Sequence, residues 1–310
     1  MNTTSPKSDF VTANGIRLHF LDWGGDGTPL LFLTGMGCSA YIFGGLAPRF
    51  THSFRVLALD RRGHGDSDYP ETGYDSDTLT EDLRRFLDAL GIEKVILAGH
   101  SMAYIELSRF AVLYPERVLK LVFLDAAYED FLPENKAVWE KNPLPKLMPG
   151  WPEDFHGTIE EFNAETKRRF PTFAMIWNGA MDEQSRHVFR ETPDGRVVDK
   201  MSEAISNAIN ETFASYRPEY EKIQVPVLSL FADRDGTDYL TSEYMTEEQQ
   251  KEVLDFFEFA LRPDRRRYFE RFQRKLPHAR VVVIPRGHHY CFIKQEEIVY
   301  KEMRDFLSIL

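Results

Sequence analysis

The chain has 310 residues and a mass of 36.0 kDa, which suits one large domain, or a core with a sizeable insertion, around a substantial apolar interior. Hydrophobic residues at 43% and charged residues at 28% exclude a largely disordered chain, and a net charge of -11 argues against a nucleic-acid partner, which needs a basic field to meet phosphates. Two cysteines exclude a disulfide framework, and neither a signal-peptide core in Met1–Asp9 nor an apolar run of the ~20 residues that span a bilayer is found, so a soluble, cytoplasmic protein with no membrane partner is expected.

Asn14-Gly15 is a hairpin-turn dipeptide, and Ile16–Trp23 after it reads as a strand. Leu30–Leu33, Arg55–Leu59, Lys94–Ala98 and Leu121–Leu124 follow. They are brief, aliphatic and without polar alternation, as in a parallel sheet covered on both faces. Thr78 and Glu81 form a capping-box pattern, Leu79, Leu83, Phe86, Leu87 and Leu90 follow at helical spacing, and Gly91 supplies the stop. Met102–Tyr114 predicts a second helix, ended before Pro115. This alternation predicts an α/β fold.

The pattern breaks after Asp125. Residues 126–224 hold several prolines, three of the four tryptophans and no convincing aliphatic strand, and are expected to form a helical cap inserted into a core of residues 1–125 and 225–310. Strands resume at Val227–Phe231 and Arg280–Ile284. Thr246–Leu261 predicts a helix with a Thr246/Gln249 capping box, broken by Pro263. Arg262–Lys275 carries seven basic residues and is expected to be a solvated face paired with the acidic helix before it. Gln295–Leu310 predicts the closing helix.

The strongest chemical signal is Val95–Ala103, where a buried strand runs into Gly99-His100-Ser101-Met102-Ala103 and then into a helix. This is close to the G-x-S-x-G nucleophile elbow in its strand-turn-helix setting, with Ala103 in place of the second glycine. A sharp, strained turn requires small neighbours and lifts the serine oxygen above the sheet edge, and the helix amides behind it favour negative charge. Four further segments place candidate groups just past strands: Leu31–Gly37, Leu59–Ser67, Pro226–Asp235 and Ile284–Tyr290.

On these motifs the sequence resembles the α/β-hydrolase family, specifically its capped branch of esterases, lactonases, C–C bond hydrolases and epoxide hydrolases. The likeness covers roughly residues 15–125 and 225–305. It implies the α/β-hydrolase fold: a mostly parallel eight-stranded sheet flanked by helices, with an inserted helical cap. It also implies the chain order Ser, acid, His, with no cofactor and no metal.

A serine hydroxyl needs an imidazole to take its proton and a carboxylate to orient that imidazole. Among nine histidines, the pair His288-His289 lies beyond the last strand, where the family places its base. His289 is preferred because His289-Tyr290-Cys291-Phe292-Ile293 fits the family's ending better; His288 is the alternative. Asp235 stands where similar proteins carry the acid, with Asp125 after the preceding core strand as the alternative and Asp233 behind both. The resemblance assigns the oxyanion hole to the backbone amides of Met36 and Met102, with Thr34 replacing a usual histidine. Gly35, Tyr104, Trp139 and Trp177 are expected at the substrate pocket, with Trp151, Phe155, Phe170 and Phe173 as further cap aromatics. Cys38 and Cys291 should lie on loops that meet near it.

The expected activity is a serine hydrolase cleaving an ester-like bond of a small, largely apolar substrate through an acyl-enzyme. C–C bond hydrolysis or lactone opening by the same triad is the alternative, and a ligand-binding protein of the same fold with little turnover is the alternative of another class. Ser101 in place of an aspartate disfavours epoxide hydrolase chemistry, which similar proteins perform through an aspartyl ester.

Overall fold

The computed structural model describes residues 5–126, 136–152 and 154–308. Strands β1 (Lys7–Ala13), β2 (Ile16–Gly24), β3 (Thr28–Leu33) and β4 (Phe54–Leu59) lead into α1 (Ser76–Ala89), then β5 (Val95–His100), α2 (Tyr104–Leu113) and β6 (Val118–Leu124). The inserted stretch carries α3 (Lys136–Trp139), α4 (Leu144–Leu147), α5 (Ile159–Arg169), α6 (Pro171–Ala174), α7 (Gly179–Val188), a hairpin of β7 (Phe189–Glu191) and β8 (Val197–Asp199), and α8 (Glu203–Ser215). After it come β9 (Val227–Asp233), α9 (Glu247–Phe256), α10 (Arg262–Lys275), β10 (Arg280–Pro285), α11 (Cys291–Lys294) and α12 (Glu296–Leu307).

The main sheet has eight strands in the order β1-β2-β4-β3-β5-β6-β9-β10. The β1/β2 and β2/β4 pairs are antiparallel and the rest are parallel. The central strands explain their unbroken apolar sequences. Leu31, Leu33, Leu97, Leu121, Phe123 and Phe231 face one buried layer, with α1, α2, α8 and α10. Leu30, Phe32, Ile96, Ala98, Val122 and Leu228 alternate to the other, with α12. Both faces are covered, as a parallel sheet requires.

Several expectations are adjusted. Helix α1 begins at Ser76 rather than after Thr78, because the Asp75 carboxylate accepts from the amides of Asp77 and Thr78 at 3.1 and 2.9 Å and caps the helix earlier. Pro263 does not end its helix. A wide π-helical turn, Phe257–Leu261, joins α9 to α10 and seats the proline in the first turn of α10, where its missing N–H is tolerated. Strand β1 escapes the sequence pattern because it is a polar sheet edge. Within residues 126–224, β7 and β8 form a short hairpin that the aliphatic signal does not reveal. The stripe Ile205, Ile209 and Phe213 packs α8 onto the sheet-covering layer, so the last part of the inserted stretch joins the core.

Candidate active site

Register brings the candidate groups together. His100 of β5 pairs with Leu124 of β6, and Leu33 of β3 pairs with Gly99 of β5. Ser101 and Asp125 are each one residue further on, so they emerge side by side at the carboxyl edge of the sheet, next to the turn after β3. Both hold left-handed backbone angles, φ 51° at Ser101 and φ 44° at Asp125, which non-glycine residues adopt rarely and which mark tightly determined sites. Two glycines make room for this. A Cβ on Gly99 would lie 2.5 Å from the Cβ of Ala103, so Gly99 accommodates the alanine that replaces the motif's second glycine. A Cβ on Gly35 would lie 2.7 Å from Nδ1 of His100 and 3.3 Å from the Cβ of Ser101, so the β3 turn rests against the serine.

The carboxylate beside His289 is Asp125, not Asp235. Asp125 Oδ2 accepts from His289 Nδ1 at 2.7 Å, and its Oδ1 accepts from the amide of Ala232 at 2.8 Å. Asp125 is fully buried, whereas the His289 side chain is 29% exposed. Because a carboxylate only accepts, Nδ1 carries the proton, and Nε2 is left with a lone pair. Asp235 instead closes its own loop: Gly236 takes φ 87°, and the Asp235 carboxylate accepts from the amide and hydroxyl of Thr237 at 3.1 and 2.6 Å. Asp233 is paired with Arg262 at 2.6 Å.

His288 has neither nitrogen to spare. Its Nδ1 accepts from the Tyr290 amide at 3.0 Å, and its Nε2 donates to the Thr172 hydroxyl at 2.8 Å. Burial pulls its pKa down to about 4, so it is neutral near pH 7. His100 is likewise held neutral by burial, and its Nε2 donates to the backbone carbonyl of His289 at 2.9 Å, fixing the loop that carries that ring. Arg61, buried and paired with Glu106 of α2 at 2.9 Å, donates to the carbonyl of Thr34 at 2.7 Å. It thereby ties the turn bearing Met36 to the helix that follows Met102. Burial pushes the Glu106 carboxyl up and the Arg61 guanidinium down, so this pair costs desolvation and its value lies in positioning. The sequence offered no sign of either His100 or Arg61 in these roles.

Two cavities flank this edge. The first, about 150 Å³, is lined by Ser101, Asp125 and His289 together with Met102, Tyr104, Trp139, Phe213, Arg234 and Arg265. The second, about 640 Å³, begins at Met36 and Cys38 and runs beneath Trp151, Phe173 and Trp177 to Tyr290 and Asp199. Of the expected pocket residues, Tyr104 and Trp139 line the first and Trp177 the second, while Gly35 abuts Ser101. Phe155 and Phe170 pack on other aromatics instead, Phe162 and Trp151 respectively. Cys38 and Cys291 are free, buried thiols. Burial raises the Cys38 pKa to about 11, and its Sγ lies 3.6 Å from the Tyr290 hydroxyl.

Arg265 departs from the expectation of a solvated basic face. It is only 3% exposed and points inward, while its neighbour Arg267 faces outward and pairs with Asp264 at 2.9 Å. A second Ser-His-Asp series, Ser8-His19-Asp60, has linking distances of 2.9 and 2.6 Å. It lies on β1, β2 and the end of β4, two to four strands from β5 and Ser101, and Asp60 also accepts from the amides of Ala40 and Asp66 at 2.6 and 3.0 Å, which makes it an anchor for the loops after β3 and β4.

The inserted stretch is fastened to the core through Asp66, which meets His187 of α7 at 2.5 Å and Lys200 at 2.8 Å. Burial, the largest influence on His187, opposes its charged form, but the Asp66 hydrogen bond and charge outweigh it and hold the pKa above 6.5. Burial likewise opposes the charged form of Asp66, yet His187 and Lys200 hold its pKa below 3.8. The stability from Asp66 is present above pH 3.8 and lost as pH falls through its folded pKa; that from His187 is complete below pH 6.5 and lost as pH rises through its folded pKa. His187→Gln should lower the melting temperature by about 1–3 °C near pH 5.5 and by less near pH 9. Thermal unfolding at both pH values checks this, and an equal loss at both would remove the charge from the account.

A mostly parallel sheet with its candidate groups at the carboxyl edge places the molecule in the doubly wound α/β class. A model of the α/β hydrolase fold matches residues 28–257, and the chain belongs to that family. It is 39% identical to a non-heme chloroperoxidase of Streptomyces lividans over 119 residues, which is 37% of this chain and 43% of that protein. It is 27% identical to epoxide hydrolase 4 of Mus musculus over 239 residues, 73% of this chain and 65% of that protein. The matches therefore span less than two thirds of the length of either relative. The solved structure of E-2-(acetamidomethylene)succinate hydrolase shares the fold, with a TM-score of 0.73 at 23% identity over 98% of this chain and 99% of that one. Among the described residues, no helix is long and apolar enough to cross a membrane.

Proposed function

We propose that the protein is a serine hydrolase acting on an ester-like carbonyl, with Ser101 as nucleophile, His289 as base and Asp125 as the carboxylate that orients it. The observation that carries this reading is the coincidence, in one cavity, of a serine on a strained elbow and a histidine whose Nδ1–H is bound by a buried aspartate. Ser101 Oγ attacks the carbonyl carbon while Nε2 of His289 takes its proton. The amides of Met102 and Met36 receive the oxyanion. Collapse breaks the bond to the leaving group, which takes the proton from His289, and an acyl-serine remains. Water, deprotonated by the same imidazole, then releases the acid. The stretch between β6 and β9 serves as a cap, with its aromatic side chains on the larger cavity beside the oxyanion turn.

The test is active-site labelling. A fluorophosphonate probe is expected to modify the native protein once, at Ser101, and to suppress hydrolysis of short p-nitrophenyl esters in proportion, as read by peptide mass spectrometry and residual turnover. Labelling elsewhere, or full turnover after labelling, would remove Ser101 from the mechanism.

A further inference from the structure

The ring of His289 has one hydrogen bond among the described residues, from Nδ1 to Asp125. A ring held at one atom can pivot, so the position of its Nε2 depends on the backbone that carries it. Hydrogen bonds on either side of the ring set that backbone. His100 donates to the His289 carbonyl at 2.9 Å, the His288 amide donates to the Gln295 side-chain oxygen at 3.3 Å, and the Tyr290 amide donates to Nδ1 of His288 at 3.0 Å. The first two tie the loop to the core. The third leads out of it, because the same imidazole donates from Nε2 to the Thr172 hydroxyl of α6 at 2.8 Å. Thr172 and His288 are both buried, and α6 belongs to the stretch inserted between β6 and β9. On its other side α6 rests against the turn Thr237–Tyr239, beyond β9.

We propose that Thr172 and His288 are positioning residues, which make the placement of His289 depend on the inserted stretch being seated on the core. The inference rests on the reading of His289 as the base. Phe173, next to Thr172, and Tyr290, next to His289, both line the larger cavity, with ring centroids 6.1 Å apart. A ligand held there touches both sides of the Thr172–His288 contact. When α6 lifts, water takes the place of the threonine hydroxyl. The His288 ring is then free to turn, and the Tyr290 amide loses its fixed acceptor. A base displaced by a fraction of an ångström loses its alignment with Ser101. The contact itself does not touch the reacting atoms, so its loss falls on kcat rather than on KM.

The experiment is steady-state hydrolysis of one p-nitrophenyl ester by the full chain, with melting curves and the rate of fluorophosphonate labelling of Ser101. Thr172→Val keeps the shape and removes the hydroxyl. His288→Asn keeps an acceptor for the Tyr290 amide but is too short to reach Thr172. Each is expected to lower kcat by about 5- to 30-fold with KM within about twofold, the range for a buried polar group left without its partner. Labelling should slow in parallel. Thr172→Ser restores the hydroxyl and should return kcat to within about threefold of the native value. Because both changes break one contact, Thr172→Val/His288→Asn should be hardly slower than either single variant. Native kcat and labelling in the single variants, or losses that multiply in the double variant, would overturn the inference. So would a loss that Thr172→Ser does not restore, or one confined to KM. If Thr172→Val fails to fold, His288→Asn decides by its kcat and KM on the same criteria. No Ser101-dependent turnover or labelling in the native protein would instead overturn the serine hydrolase reading on which the inference rests.

Discussion

Asp125→Asn is expected to lower kcat/KM by about 10⁴-fold, while Asp235→Asn should leave it within about threefold. The contrast follows from hydrogen-bond arithmetic. Asp125 uses one oxygen for the Ala232 amide and the other for Nδ1–H of His289. Asparagine has a single acceptor oxygen, so one of these donors loses its partner. If the amide N–H₂ faces the imidazole, the ring must present a lone pair at Nδ1 and carry its proton on Nε2, which is the wrong tautomer for a base. At Asp235, asparagine retains the oxygen that accepts from Thr237, and the turn persists. Steady-state kinetics on one ester, with melting curves to confirm folding, decide between the two carboxylates. A large loss in the Asp235 variant together with near-normal turnover in the Asp125 variant would return the acid to the loop after β9.

The same comparison shows what the sequence carries and what it lacks. The elbow is a local signal: strand, glycine, serine and helix are contiguous, and their order is readable from Val95–Ala103 alone. His289 is nearly as local, because the aromatic and aliphatic residues after it fix its loop. The acid depends on register between strands far apart in the chain. Leu124 is level with His100 and Leu230 is level with Leu124, which sets Asp125 beside the elbow and leaves Asp235 several residues beyond it. Nothing in either local sequence states that registration. Arg265 is obscured for a related reason. In a stretch with seven basic residues, composition reads as a solvated face, and only the packing of α10 against the site turns one arginine inward. His100 and Arg61 act on backbone carbonyls, and such contacts leave no residue-type pattern to detect.

Ser101→Ala should reduce kcat by about 10⁴- to 10⁶-fold and leave the fold intact. Serine and alanine tolerate the left-handed φ at position 101 about equally, so the strained turn persists, and the melting temperature should stay within about 2 °C of the native value. Turnover that remains would come from substrate positioning and from the amides of Met36 and Met102, with water attacking directly. The decisive quantity is the behaviour of the double variant. If Ser101 and His289 work as one unit, removing the serine leaves the imidazole with no proton to take, and Ser101→Ala/His289→Ala should be hardly slower than Ser101→Ala alone. Losses that multiply instead would mean that the two residues act independently, and the relay from Ser101 through His289 to Asp125 would have to be abandoned.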